Sequence, residues 1–199
     1  KAKFKLKFNL GLSLTAHAID FKGKNFDEDK FFLTELTWLV QKIEQIAHVK
    51  WLRIHTRLPV VIPNRITSDL VNLLKNSRLK ATMVLHINHG NEIDDDFTTA
   101  LEPLRNARIP LFNQSVLLKG INDDANVLCQ LSETLFDSGI QPYYLHMFDP
   151  VQGVAHFDVC EDRAKIIVQK MMATLPGFLM PKLVREIAGE ANKTPINLA

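Results

Sequence analysis

The feature that most constrains the fold is a repeated alternation that begins near residue 50. Short runs of β-branched and other apolar residues alternate with longer amphipathic stretches, which is typical of βα units arranged around a parallel sheet. We predict about four such units. Their strands are 50–58, 80–88, 109–118 and 140–148, and the helices that follow them are 68–77, 94–107, 122–139 and 161–175.

The helix boundaries carry their own signals. Thr67 or Ser68 can cap the first helix, acidic residues open the second and third, and Gly139 follows the third. A further helix is predicted over 34–47, upstream of the first strand, whereas residues 1–33 receive no assignment. Four strands cannot close an eight-stranded barrel, so the pattern predicts a partial barrel, an open sheet or a fragment of a longer fold.

Composition excludes several classes of protein. Twenty-four basic against 22 acidic residues give a net charge of +2, too close to neutral to predict a nucleic-acid partner. No apolar stretch approaches the roughly 20 residues that span a bilayer, so we expect no membrane partner. Two cysteines form neither a disulfide framework nor a CxxC zinc motif, and we expect a cytoplasmic, reduced protein. The opening KAKFKLKFNLGLSL predicts an amphipathic strand or a basic tail.

Polar residues collect at the predicted carboxyl ends of the strands, where βα proteins place their ligands. This arrangement predicts a pocket, although any one of these groups could instead be a core residue bonded to backbone. The residues are His55, Thr56 and Arg57; His86, Asn88 and His89; Asn113, Gln114 and Ser115; and Tyr143, Tyr144, His146 and Asp149.

Three of these patterns suggest particular ligands. His86 and His89 form an H-x-x-H pair, a weak signal for a metal because no H-E-x-x-H helix accompanies it. Arg53 and Arg57 fall on one face of the first strand and could grip a carboxylate or phosphate, with Arg57 the better placed. Asp149 could bind an ammonium group or cap a turn.

Five segments resemble one known family, the lysine 2,3-aminomutases, and in particular the bacterial members that make (R)-β-lysine for elongation factor P. The resemblance runs from about Glu35 to Leu198. It is carried by LRIHTRLPVVIPNRIT, HINHGNEI, NQSVLLKGIND, PYYLHMFDPVQGVAHF and the KTP near the end of the chain.

The resemblance implies a fold and a chemistry. The fold would be the partial (βα) barrel of the radical S-adenosylmethionine type, its N-terminal part missing, with an unassigned segment 1–34, the partial barrel 35–180 and a tail 181–199. The reaction would move an amino group from C2 to C3 of L-lysine through a pyridoxal phosphate aldimine. Besides pyridoxal phosphate, the family uses S-adenosylmethionine and a [4Fe-4S] cluster.

Roles for five residues follow from their match to the family's motifs. Lys193 matches the lysine that binds pyridoxal phosphate, and a lysine acts as a nucleophile when its surroundings favour the free amine. Asp149 and Glu186 match acids that hold the distal ammonium of the substrate, Glu186 standing where the free-lysine mutases usually have Asp. His86 and Gln114 match residues that line the S-adenosylmethionine site.

The family's cluster motif C-x-x-x-C-x-x-C does not occur in the sequence. Cys129 and Cys160 are 31 residues apart and match no cluster position, and residues 1–34 do not resemble the family. Since a cluster needs thiolate ligands, we expect this chain to be inactive as a mutase.

Two other functions remain open from the residues alone. The chain could be a non-catalytic remnant or a module that binds a ligand or a partner, or a metal-dependent hydrolase that uses the strand-end histidines. An incomplete barrel also exposes an edge strand, so a homo-oligomer is a further expectation.

Overall fold

The structure is a computed structural model that describes residues 28–149, 153–187, 189–190 and 192–198. The predicted basic opening segment lies outside these residues. Helices α1 to α6 are Glu28–Glu44, Leu58–Val61, Ser68–Asn76, Asp95–Asn106, Ala125–Asp137 and Glu161–Thr174. Strands β1 to β6 are Trp51–Thr56, Lys80–His86, Leu111–Val116, Gln141–His146, Lys182–Arg185 and Thr194–Pro195.

The six strands form one sheet whose spatial order is the order of the chain, β1 to β6. Strands β1 to β5 pair in parallel, and β6 runs antiparallel to β5. Crossovers between parallel strands are right-handed, so connections that always advance in one direction place their helices on one face of the sheet. The other face is the concave one that a barrel would enclose.

The four predicted βα units are confirmed, and their boundaries agree to within a few residues. Thr67 caps α3 by accepting a hydrogen bond from the Leu70 amide, and Asp94 caps α4 in the same way through Phe97. Gly139 adopts φ +78° directly after α5, a left-handed conformation that favours glycine. Local residue chemistry therefore sets the beginnings of α3 and α4 and the end of α5.

The last part of the chain forms more secondary structure than the sequence pattern suggested. Residues assigned to a tail contribute β5 and β6, which extend the sheet beyond the fourth unit. These strands have four and two residues, and the described residues between them form no helix, so the alternation that revealed the other strands is absent there. Lys193, directly before β6, is consequently held against the sheet.

The core lies between the sheet and its helices. Leu85 and Ile87 at the end of β2, together with Phe97, Leu101 and Leu104 of α4, are fully buried. The concave face is more open, with Trp51 at 74% exposure. The edge of β1 that faces away from β2 has no strand partner among the described residues, and the expectation of an oligomer stays a prediction. In the described part of the chain, no helix is long and apolar enough to cross a membrane.

Buried amides tie the carboxyl ends of β2 and β3 together. Asn113 Oδ1 accepts a hydrogen bond from the Ile87 amide at 2.9 Å, and Asn113 Nδ2 donates to the Ile87 carbonyl at 3.0 Å and to Ser115 Oγ at 2.9 Å. Asn122 Nδ2 donates to the carbonyls of Asn88 and Val116 at 2.8 and 2.9 Å. These side chains replace ladder bonds where the strands separate, which keeps buried backbone groups paired.

We expect Asn113→Leu to lower the free energy of unfolding by about 1–3 kcal/mol, because it leaves the buried Ile87 amide without its acceptor. Urea denaturation followed by circular dichroism measures the change. Asn72→Leu, at an exposed position of α3, is the matched control and should shift stability by no more than about 0.5 kcal/mol. Equal effects of the two substitutions would show that the buried amide does not hold the strand ends together.

Candidate active site at the carboxyl ends of the strands

The antiparallel pairing of β5 and β6 positions the central pair of the site. Arg185 and Thr194 are register partners, so the residues just beyond them, Glu186 and Lys193, face each other across the turn. The last residue of the neighbouring strand β4 is His146, whose register partner in β5 is Val184. Three elements thus bring an acid, an amine and an imidazole to one edge of the sheet.

Lys193 makes three contacts there. Its Nζ donates to Glu186 Oε1 at 2.5 Å and lies 2.9 Å from His146 Nε2. The same nitrogen is 5.4 Å from the centroid of the Tyr144 ring, within the range of a cation–π interaction. The Lys193 side chain is 19% exposed and that of Glu186 52%, so the amine is sheltered while its counter-ion meets solvent.

His146 is neutral in this arrangement. Burial lowers the pKa of His146 to about 4, and the positive charge of Lys193 acts in the same direction. Because an ammonium group can only donate, His146 Nε2 accepts the hydrogen bond and the ring proton lies on Nδ1. The hydrogen bond from Lys193 is also the largest cause of the lowered pKa of Glu186. The amine is therefore held between one neutral and one charged acceptor.

Tyr144 provides an aromatic surface beside the amine. Its ring centroid lies 3.8 Å from that of Tyr143 and 5.8 Å from that of His146. Burial, followed by the hydrogen bond with Tyr143, raises the pKa of Tyr144 to about 12, so its hydroxyl stays protonated.

A second polar group lies on β1, β2 and β3. Gln114 Nε2 donates to His86 Nε2 at 3.0 Å, and the His55 ring meets the His86 ring edge-on at a centroid distance of 5.9 Å. Burial is the largest cause of the lowered pKa of both histidines, and it brings that of His55 to about 4. His55 Nε2 and Gln114 Oε1 are buried without a partner at hydrogen-bonding geometry. A side-chain hydrogen bond with Gln114 nevertheless opposes the lowered pKa of His55, so these two side chains lie next to each other.

Several of the predicted strand-end residues form hydrogen bonds with the backbone and do not contact Lys193. Asn113 bonds to the Ile87 backbone just beyond β2, as described above, and Ser115 Oγ donates to the Ile87 carbonyl at 2.7 Å. His89 Nδ1 accepts from the Asn91 amide and caps the short 3-10 helix Gly90–Glu92. Among the described residues, no group of three His, Cys, Asp or Glu side chains could hold a metal ion.

The two arginines of β1 and Asp149 form no hydrogen bond with Lys193. Arg57 is bound to Glu92, with Nη2 and Oε2 2.5 Å apart, and is therefore already neutralised. Arg53 is exposed on the concave face of β1. Asp149 is exposed three residues beyond β4, and the hydrogen bonds of Lys193 go to other groups.

His55, Tyr144 and His146 were predicted only as members of a strand-end pocket, without individual roles. In the structure His146 and Tyr144 contact Lys193, and the charge of Lys193 contributes to the lowered pKa of His55. Their positions at or near the carboxyl ends of strands β1 and β4 were the sequence feature that could have indicated a role. The sequence pattern does not show how β5 pairs with β6, and it is this pairing that brings Lys193 close to the end of β4.

Comparison with known proteins identifies close relatives. The sequence is 51% identical over 164 residues to the L-lysine 2,3-aminomutase of Escherichia coli strain K12, covering 82% of this chain and 48% of that protein. It is 54% identical over 160 residues to the L-lysine 2,3-aminomutase of Haemophilus influenzae Rd, covering 80% of this chain and 47% of that one. The chain thus spans about half the length of the curated relatives it matches. No model of a protein family matches the sequence.

The fold is similar to that of a domain of a pyruvate-formate lyase-activating enzyme from Bacteroides vulgatus. The TM-score is 0.54 at 11% sequence identity, and the match covers 84% of this chain and 97% of that domain. The predicted α/β class, with a partial barrel of βα units, is confirmed. Over about four fifths of its length, the chain is therefore similar to a C-terminal portion of the L-lysine 2,3-aminomutases.

Proposed function

We propose that this chain forms the part of a radical S-adenosylmethionine L-lysine 2,3-aminomutase that binds pyridoxal phosphate at Lys193 and holds the amino acid substrate. The observation that carries the proposal is the position of Lys193, a sheltered amine between His146 and Glu186 at the carboxyl edge of a βα sheet. The reaction of the whole protein would move the amino group of L-lysine from C2 to C3.

The residues around Lys193 fit pyridoxal phosphate. A cofactor aldehyde requires an amine that is accessible, oriented and able to lose a proton, and Lys193 has two acceptors that fix its nitrogen. The Tyr144 ring beside the amine suits a planar aromatic ligand. When bound, pyridoxal phosphate supplies an electron-withdrawing ring; the protein's part is to position it and its substrate.

His86 and Gln114 are proposed to contact S-adenosylmethionine. Their mutual hydrogen bond fixes both side chains, and Gln114 is also hydrogen-bonded to His55. In the family, S-adenosylmethionine supplies the radical that starts the reaction.

Glu186 and Asp149 are proposed to bind the distal ammonium of the substrate. Glu186 already accepts from an ammonium group, that of Lys193, so its carboxylate is charged and accessible to a second cation. Asp149 lies exposed at the carboxyl end of β4. Two carboxylates near one edge of the sheet favour a substrate with a positive side chain over a neutral one.

The residues do not fit an iron–sulfur cluster. Cys129 is buried, Cys160 is exposed, and the sequence has no third cysteine. We therefore propose no step through a cluster for this chain, and the expectation that it lacks mutase turnover by itself stays a prediction. If the chain binds pyridoxal phosphate at Lys193 and shows no turnover, that result would agree with the proposed cofactor site and with the expected lack of mutase activity.

We expect incubation with pyridoxal phosphate and then borohydride to label Lys193 in preference to exposed lysines, since its amine is held between Glu186 and His146 beside the Tyr144 ring. Peptide mapping by mass spectrometry locates the label. Lys193→Arg should remove most of it, whereas Lys75→Arg, at an exposed position of α3, should leave it unchanged. Label scattered evenly over surface lysines would refute the proposed cofactor site and favour a non-catalytic remnant.

We expect the His55 and His146 rings to remain neutral until the pH approaches about 4, because their pKa values lie at about 4 against an ordinary 6.5. The unfolded chain takes up these protons at higher pH, so stability should fall as pH drops from about 6.5 to about 4. NMR titration of the ring resonances measures the midpoints. Lys193→Gln should raise the His146 midpoint, since it removes a positive neighbour; an unchanged midpoint would contradict the contact.

A further inference from the structure

The carboxylate of Glu186 is already bound to a cation of the chain itself. Lys193 Nζ donates to Glu186 Oε1 at 2.5 Å. Glu186 is also one of the two acids proposed above to bind the distal ammonium of a substrate, and at 52% exposure its side chain is accessible to such a ligand. An ammonium ligand that arrives there therefore meets a carboxylate whose charge Lys193 already balances.

The other titratable groups around Lys193 are neutral at neutral pH. His146 Nε2 lies 2.9 Å from the amine and the centroid of the Tyr144 ring lies 5.4 Å from it, and both residues belong to β4. Burial lowers the pKa of His146 to about 4 and raises that of Tyr144 to about 12. The charge of Lys193 also acts on His55 of β1 and His86 of β2, whose pKa values are lowered chiefly by burial. The negative charge beside the amine is thus that of one carboxylate.

A second ammonium group changes the balance of charge at this carboxylate. One negative charge then faces two positive charges, and the repulsion between the two cations is relieved when one of them loses its proton to solvent. Desolvation disfavours the charged form of the more sheltered group, and the Lys193 side chain is only 19% exposed. The proton should therefore leave Lys193, since a neutral amine keeps two hydrogens and can still donate to His146 Nε2.

We propose that an ammonium ligand bound at Glu186 drives Lys193 to its free amine. The inference rests on the roles proposed above for Lys193 and Glu186, and it adds that one carboxylate couples these two roles. In the empty site the ion pair keeps the amine protonated and unreactive. The free amine is the form that bonds to an aldehyde, so the nucleophile becomes available when a cationic amino acid occupies the site.

The titration of the Lys193 amine measures this coupling. In a full chain labelled with carbon-13 lysine, the ε-carbon resonance reports protonation, and the resonance that is lost in Lys193→Arg is that of Lys193. We expect 1,5-diaminopentane to move the midpoint of this titration to lower pH by about half a unit or more, a size that allows for the solvent exposure of the ion pair. Pentane-1,5-diol, which has the same length and no charge, should leave the midpoint unchanged.

Two substitutions test whether the carboxylate carries the effect. Glu186→Gln should lower the midpoint without any ligand, and 1,5-diaminopentane should then have no further effect. Glu190→Gln, at an exposed position of the same connection between β5 and β6, is the matched control and should respond to the diamine as the unaltered chain does. Circular dichroism checks that each variant keeps the fold. A midpoint that the diamine does not move, or that it moves equally in Glu186→Gln, would overturn the proposal.

Coupling between two binding events is reciprocal, so the charge of Lys193 must also affect the ligand. Near neutral pH, Lys193→Gln should bind 1,5-diaminopentane about threefold or more tightly than the unaltered chain, the factor that corresponds to half a pH unit. Isothermal titration calorimetry measures both dissociation constants, and Lys182→Gln, at an exposed position of β5, should stay within about twofold of the unaltered chain. Equal affinities of Lys193→Gln and the unaltered chain would contradict the competition for Glu186. Neither measurement uses pyridoxal phosphate, so failure of the borohydride labelling and failure of this coupling are distinguishable.

Discussion

The strand ends of this sheet can carry a site only because their backbone groups are satisfied by side chains. Parallel strands separate as they leave the sheet, and each buried amide or carbonyl there needs a partner. Asn113 supplies three hydrogen bonds to β2 and to Ser115, and Asn122 bridges the next loop. With this edge fixed by buried amides, the concave face next to it can keep exposed polar groups.

The charges around Lys193 depend on which of its neighbours are buried and which face solvent. Lys193 has a charged acceptor in Glu186 and a neutral one in His146, and the pKa values of the three nearby histidines are lowered, chiefly by burial. The ammonium charge would be costly among these rings without Glu186, which faces solvent and remains ionised. The result is a fixed cation beside an aromatic ring, with the polar side chains of His55, His86 and Gln114 on the neighbouring strands.

Many polar residues at the strand ends could be identified from the sequence. Their position did not show which of them belong to the site and which only stabilise the backbone. His89, Asn113 and His146 look alike in the sequence, since each is a polar residue at or near the end of an apolar run. In the structure His89 caps a 3-10 helix, Asn113 pairs with backbone, and His146 contacts Lys193. The difference depends on which way a side chain faces and on what a distant segment brings to it, and neither is a property of the local pattern.

The sequence by itself determined the four βα units, several helix caps and the resemblance to the aminomutases, because strand and helix periods, N-cap residues and motif order are all local. Only the tertiary structure decided that Lys193 meets His146 and Glu186, because that contact depends on the antiparallel pairing of two strands of four and two residues. It likewise decided between the two arginines of β1. Arg57 is neutralised by Glu92, which lies 35 residues away in the chain, and Arg53 has no such partner in the described part. Long-range pairing of this kind arises from packing and register, which no run of neighbouring residues encodes.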